Sequence, residues 1–207
     1  AVVLLVGAGL MVRSLVRLQQ VETGFQTEHV WAVRLQLPAT QYPAAWQRAR
    51  FFNVVSERVA SIPGVIAAGA TNVQPFGDLN LVNDVTPEDR AAETPASGFM
   101  QAAWRIVNPG YFEAAGIPLL RGRTFTHEDR HGGVRVAVIT RSLADRLWPG
   151  EDALGRRLFW GGTTGTPLTV IGVVGDIRDF ELEASPPPLM FLTTGQITWP
   201  AMTLIVR

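Results

Sequence analysis

The sequence predicts an α+β fold in which strands dominate the second half of the chain. Three observations carry that reading. Trp31, Val33, Leu35 and Leu37 alternate with Ala32, Arg34 and Gln36, the period of a half-buried strand. An amphipathic stretch over residues 44–62 follows, then a small and β-branched run over residues 65–73, which together make a strand–helix–strand unit of the parallel-crossover kind. Beyond residue 100, short alternating runs recur between turns, and Gly 20 with Pro 14 among 207 residues suits a turn-rich fold without reaching low complexity.

Taken in order, residues 1–12 (AVVLLVGAGLMV) are apolar throughout, and Arg13 and Arg17 follow one helical turn apart. As a helix this run is about 18 Å long against roughly 30 Å of hydrocarbon, too short to span alone. No basic leader precedes it, so the reading is the outgoing end of a transmembrane helix in a fragment, with Arg13 and Arg17 snorkelling at the interface. In the helix of residues 44–62, Phe51, Phe52, Val55, Val59 and Ile62 share one stripe, Arg48, Glu57 and Arg58 lie off it, and Pro63-Gly64 ends it. Residues 78–98 gather Asp, Asn, Glu, Thr and Pro without sustained periodicity, which predicts a long loop.

Met100, Ala102, Trp104 and Ile106 then alternate as a strand. Asn108 reads as an N-cap and Pro109 as the first position of a short helix over residues 111–115, closed by Gly116. Residues 134–139 predict a strand, and residues 142–148 a helix with Leu143 and Leu147 on one face, stopped by Pro149-Gly150. Residues 158–160 and 168–174 read as strands joined by the Gly-rich connection 161–165, and residues 189–193 as a strand after three prolines. The apolar run 202–207 stops in mid-strand, so further chain is expected beyond it.

All 18 basic residues are Arg, and the chain has no Lys and no Cys. A P-loop and a Schiff-base enzyme each need Lys, while cysteine nucleophiles, disulfides, cysteine zinc sites and iron–sulfur clusters need Cys. None can be built here. Zero formal net charge at a pI of about 7.1 argues against nucleic acid as a partner. Hydrophobic residues at 47% are ample for a core, whereas 17% charged residues leave surface suited to a membrane or other chains.

Candidate chemistry resolves mostly into structure. Thr126-His127-Glu128-Asp129-Arg130-His131 holds metal-ligating types, yet its spacing matches no zinc motif and favours a capped, exposed turn with Thr126 as cap. Gly172 and Gly175 lie in a strand, where glycine marks a bulge or a close backbone contact rather than a nucleotide loop. Asp176, Asp179 and Glu181 are read as solvated loop acids in preference to paired hydrolase carboxylates. Ser142 lacks a nucleophile elbow and sits with Asp145 on a helix surface. Arg121 with Arg123, and Arg156 with Arg157, read as exposed charge rather than an anion site, and Trp148 and Trp160 as core or interface rather than a ligand platform. The sequence therefore nominates no catalytic, cofactor-binding or metal-binding residue and no cofactor.

The stretches LLVGAGLMVRSLVRLQQVETGF, LQLPATQYP, PGVIAAGATNVQPF, VNPGYFEAAGIPLLRGRTFTHEDR, VAVITRSLADRLWPGEDALGRRLFWG, LTVIGVVGDIRDFELEASPPPLMFL and MTLIVR, in this order and spacing, resemble the MacB-like periplasmic core domain. That domain belongs to ABC-transporter permeases related to FtsX, and the match is to the duplicated-half type described in acidobacteria. The resemblance covers nearly the whole chain, least at 78–98. It implies three parts: the end of a transmembrane helix and stalk at 1–24, a porter-like βαβ subdomain from 25–74 plus 200–207 that is incomplete at its C-terminus, and an inserted β-rich α+β subdomain at 75–199. It also implies a non-catalytic domain on the periplasmic side of the bacterial inner membrane, relaying ATP-driven motion for export. The implied partners are a separate cytoplasmic ATP-binding subunit and a second permease half or copy, with a periplasmic adaptor and an outer-membrane exit duct as further candidates. Two other readings stand beside it: an extracytoplasmic small-ligand or peptide binding module using Trp104, Trp148, Trp160 and the arginine pairs, and a hydrolase built on Asp176 and Asp179.

Overall fold

The structure is a computed structural model that describes residues 7, 11, 13, 23–77, 79–92, 100–163, 166–178 and 186–207. Its elements are β1 (Trp31–Gln36), α1 (Ala45–Ala60), β2 (Ala68–Thr71), β3 (Val82–Pro87), β4 (Met100–Val107), α2 (Tyr111–Ala114), β5 (Leu119–Gly122), β6 (Val136–Thr140), α3 (Arg141–Leu147), β7 (Arg157–Trp160), β8 (Leu168–Val174), β9 (Leu189–Thr193) and β10 (Ala201–Val206). A 3-10 turn at Glu88–Arg90 follows β3. The strand-dominated α+β class read from the sequence is the class observed.

The first unit joins the two ends of the chain. β1 and β2 each pair antiparallel with β10, so they run parallel to one another with β10 between them. The β1–α1–β2 crossover therefore steps over one strand. α1 covers β10 and β2 on one face, where Phe52, Ala70, Leu37 and Met202 form a small core. Its buried positions include Ser56 as well as Phe52, and Ile62 falls beyond the helix and is exposed. On the opposite face α2 lies close against β2, and a Cβ on Gly69 would run into the backbone of Tyr111. Small residues at this point let helix and strand approach.

The second unit is a closed ring. β4 pairs with β3, β3 with β7, β7 with β8, β8 with β6 and β6 with β9, and the parallel β9–β4 pairing returns to the start. Closure removes the free edges of six strands. Each strand contributes to one interior core: Val85, Ala102, Ile106, Leu158, Leu168, Val170, Ala137, Ile139, Met190 and Leu192. Alternate residues of the same strands, among them Ala103, Val107, Val136, Val138, Leu189 and Phe191, face outward into a second core shared with α2 and Ile205. In β8 the alternation changes parity. Leu168 and Val170 point inward, yet so does Val173, because the register with β6 skips a residue between Ala137 and Val138. A bulge shifts every following side chain by one position, which lets Val174 join the outer core. α3 adds Leu143, Ala144 and Leu147 to the interior core, together with Trp148.

A paired asparagine joint links the two units. β2 and β4 share one ladder position, Thr71 opposite Val107. On either side of it Asn108 and Asn72 extend the pairing with side chains. Asn108 donates its N–H to the Ala70 carbonyl (3.0 Å) and accepts the Ala70 N–H on Oδ1 (2.7 Å). Asn72 does the same with Ile106, at 3.0 and 2.9 Å. Asn108 Nδ2 also donates to Ser56 Oγ of α1 at 2.9 Å. The expected N-cap role of Asn108 is thus not the one it plays. Gly110 precedes α2 instead, while Gly116, at φ +66, closes it as expected.

Three further expectations change. Residues 78–98 were expected to be a loop, but 82–87 form β3, with Val85 only 1% exposed in the ring interior. Asn83 and Asp84 are weak strand formers, and long-range pairing with β4 and β7 overrides their propensity. β5, at 119–122, is an additional strand whose four residues are all exposed, so no apolar alternation announces it. The strand expected over 65–73 is shorter, at Ala68–Thr71, because its ends turn toward Arg207 and the asparagine joint. The expected transmembrane end lies almost wholly outside the described residues, of which Gly7, Met11 and Arg13 are helical. Among the described residues no helix is long and apolar enough to cross a membrane.

Candidate functional site

The cluster at 126–131 forms a capped turn. Asp129 N–H donates to the Thr126 carbonyl (3.2 Å), Glu128 N–H to Thr126 Oγ1 (3.3 Å), and Thr126 N–H to Asp129 Oδ2 (2.8 Å). The expectation of an exposed turn holds except at Asp129, which is 8% exposed. Arg123 grips that carboxylate with both guanidinium ends, Nη1 to Oδ2 at 2.7 Å and Nη2 to Oδ1 at 2.8 Å. The Arg123 hydrogen bonds hold the Asp129 carboxyl below the usual carboxylate range, against the opposing effect of burial, and the same pairing raises Arg123. No group of His, Asp and Glu able to hold a metal ion occurs among the described residues.

The other sequence candidates are engaged in structure. Asp176 is not a solvated acid. Its Oδ1 accepts the Ser142 N–H in the first turn of α3 at 2.8 Å, supplying a cap that the helix itself lacks. Asp179 and Glu181 lie outside the described residues. Ser142 Oγ lies 3.1 Å from Thr140 Oγ1, and Asp145 is exposed. Gly172 packs beneath the Arg123 carbonyl, the close backbone contact expected of a strand glycine, whereas Gly175 falls just after β8 and lies against the Pro118 ring. Arg121 pairs with Asp152 at 2.6 Å, Arg157 with Glu88 at 3.2 Å, and Arg156 with both Glu151 and Asp89 while its guanidinium sits 5.7 Å from the Trp148 ring centre. Trp148 is 1% exposed, and Trp104 stands between Trp160 and Trp199 in edge-to-face contacts. Trp148 is thus a core residue, whereas Arg121 and Arg157 remain about half exposed in their ion pairs.

A cleft with charged walls lies elsewhere, between α1 and the 126–131 turn, with a volume of about 510 Å³. α1 contributes Trp46, Arg50, Asn53 and Glu57, and across from them stand His127 and Arg130. His127 Nε2 is 3.2 Å from Glu57 Oε1. The sequence reading missed this cleft because its two walls are some 75 residues apart. The local signal was present: positions 46, 50, 53 and 57 share one face of a helix, away from its apolar stripe.

A second arrangement concerns the segment that enters the domain. Gln26 N–H donates to the Ala115 carbonyl after α2, and Arg178 N–H donates to the Thr23 carbonyl, both at 2.8 Å. Between them Gly24, at φ +79, lies against the Asp176 carbonyl so closely that a Cβ would collide with it. Residues 23–26 are thereby fastened both to α2 and to the connection that follows β8.

Comparison with known proteins places this architecture. A family model, the MacB-like periplasmic core domain, matches residues 1–204. The chain belongs to that family. Over 68 residues it is 35% identical to the macrolide export ATP-binding/permease protein MacB of Neisseria gonorrhoeae, covering 33% of this chain and 10% of that protein. Over a further match of 68 residues it is 34% identical to the ABC transporter permease YknZ of Bacillus subtilis, covering 33% and 16%. The chain thus aligns with only a small part of these relatives. The fold is similar to that of the periplasmic region of MacB from Actinobacillus actinomycetemcomitans, with a TM-score of 0.54 at 14% identity over 92% of this chain and 79% of that one. It is also similar to the extracellular domain of YknZ, with a TM-score of 0.52 at 18% identity over 86% and 83%.

Proposed function

We propose that this MacB-like periplasmic core domain serves an ABC-transporter permease on the periplasmic side of the bacterial inner membrane. It relays motion driven by ATP on a separate cytoplasmic subunit, contributes to export of a substrate, and catalyses no reaction itself. Residues 1–24 act as the end of a transmembrane helix and stalk, 25–74 with 200–207 as one subdomain, and 75–199 as the other. A second permease half or copy completes the assembly. Residues 1–207 contain no Lys and therefore no P-loop, which is consistent with ATP being bound outside them.

The observation that carries the relay is the fastening of residues 23–26. A displacement arriving at Thr23 meets Arg178 and Ala115 through hydrogen bonds, and meets Asp176 through Gly24. Asp176 in turn holds the first turn of α3. One short segment, continuous with β1 of the first subdomain, is thus fastened to the 75–199 subdomain and positioned to move it. The test is Gly24→Val in the whole transporter: export should fall while ATP hydrolysis by the partner subunit persists and the domain, although destabilised by the strained side chain, stays folded at the assay temperature. Undiminished export by that variant would refute the relay through this contact. A binding module built on Trp104, Trp148, Trp160 and the arginine pairs finds no support in their burial and ion pairing.

A further inference from the structure

The cleft between α1 and the 126–131 turn holds an uneven set of charges. Its two acids are occupied, Glu57 by His127 at 3.2 Å and Asp129 by Arg123 at 2.7 Å. Among the described residues the side chains of its two arginines, Arg50 and Arg130, have no carboxylate partner. The two arginines of the lining balance its two acids, and Arg123, which pairs with Asp129 from outside the lining, leaves one net positive charge at a concave site. Trp46, 64% exposed, offers an apolar wall on the same helical face as Arg50. Asn53 lies about one turn beyond Arg50 on the same face, and its Oδ1 is buried without a donor. Among the described residues nothing fixes which end of that carboxamide faces the cleft, so it can pair with either the N–H or the C=O of a ligand amide.

We propose that this cleft binds an acylated amino acid with a free carboxylate and an apolar side chain, the form presented by the carboxyl-terminal residue of a peptide. The planar guanidinium of Arg130 or Arg50 matches a carboxylate in geometry as well as charge. The Trp46 ring takes the apolar side chain, and the Asn53 carboxamide takes the ligand amide. At about 510 Å³ the cleft lies within the usual range for small-molecule sites. This site is independent of the relay proposed above, since none of its residues belongs to the 23–26 fastening.

The test uses three probes on the full 207-residue chain, followed by amide chemical shifts: N-acetyl-phenylalanine, its carboxamide, and 3-phenylpropionate. N-acetyl-phenylalanine should perturb Asn53, His127 and Arg130. Replacing its carboxylate by carboxamide should weaken binding by about tenfold, the scale of one charge-assisted hydrogen bond. Arg130→Gln should weaken the acid by a similar factor with no loss of thermal stability, because Arg130 is exposed and holds no ion pair. Arg58→Gln, which alters a neighbouring groove beside Tyr42 and Phe51, should change nothing. Equal binding of acid and carboxamide, an Arg130→Gln variant that binds as the parent does, or perturbations that reach Tyr42, Phe51 and Arg58 but not Asn53, His127 or Arg130 would each overturn the site, since Trp46 and Arg50 line both grooves. Binding of 3-phenylpropionate as tight as that of N-acetyl-phenylalanine would overturn the assignment to a peptide terminus.

Discussion

Asn108→Ala should be among the most destabilising polar substitutions in the domain. Asn108 is 2% exposed and makes two side-chain bonds, accepting from Ala70 N–H at 2.7 Å and donating to Ser56 Oγ at 2.9 Å. Truncation strands a backbone donor in β2 and a hydroxyl on α1, both in a buried setting. A stranded buried polar group costs about 1–3 kcal/mol, so the pair amounts to about 3 kcal/mol, a large share of a domain's whole stability. In a chain of this size each kcal/mol moves the thermal midpoint by roughly 2–4 °C, which gives an expected fall of roughly 6–12 °C. Ser56→Ala removes only one of the two bonds and should lower the midpoint by roughly a third as much. Calorimetry on the three proteins decides the matter. A fall of less than about 2 °C for Asn108→Ala would show that the joint between β2 and β4 does not depend on this side chain.

Asp129 makes stability depend on acid pH in a defined direction. Its folded carboxyl is held below the ordinary value by Arg123, so its contribution is present above about pH 4 and is lost as pH falls through the lowered folded value. The stability gap between the parent and Asp129→Asn, measured by urea titration, should therefore close below about pH 4; a gap independent of pH would contradict the pairing. Gly24→Ala places a Cβ against the Asp176 carbonyl at positive φ and should speed hydrogen exchange at the Arg178 amide, with a loss of at least about 1 kcal/mol. Unchanged protection there would mean that residues 23–26 are not fastened as described. Asp176→Ala removes the cap on α3, with an expected loss of about 1 kcal/mol and no loss of any hydrolytic activity. Activity that disappears with Asp176 would restore the carboxylate-pair reading.

The strands legible in the sequence were those whose burial alternates locally. β4, β6, β8 and β9 each feed two cores with successive residues, and that arrangement leaves an alternating or β-branched run in the sequence. β3 and β5 hide because their stability comes from partners elsewhere. β3 carries Asn83 and Asp84 and is completed by pairing with β4 and β7, and β5 is an exposed strand laid on the far half of β8. The same division separates the site residues. The Thr126 cap works within three residues and was readable, whereas Asp176 caps a helix that begins 35 positions earlier. Asn108 was read as a local cap because its long-range partners, Ala70 and Ser56, leave no trace in the neighbouring sequence.

The outer edge of β1 stays free among the described residues after the ring closes, and it yields a further prediction. β1 has β10 on one side and no strand on the other among the described residues. Residues opposite each other in an antiparallel pair point to the same face, so Trp31 and Val33 share the face of Leu204, which belongs with Ala70 and Met202 under α1. α1 reaches β10 and β2, and Trp31 and Val33 are left 74% and 46% exposed instead of half-buried as the alternation predicts. An edge with large apolar residues invites pairing with another chain. The resemblance implies a subdomain incomplete at its C-terminus, and we propose that the segment completing it covers that face and pairs with that edge. In a chain extended through that segment, exchange at the outward β1 amides should slow and quenching of Trp31 fluorescence should diminish. If both stay as they are in the 207-residue chain, the free edge of β1 must be met by a separate polypeptide.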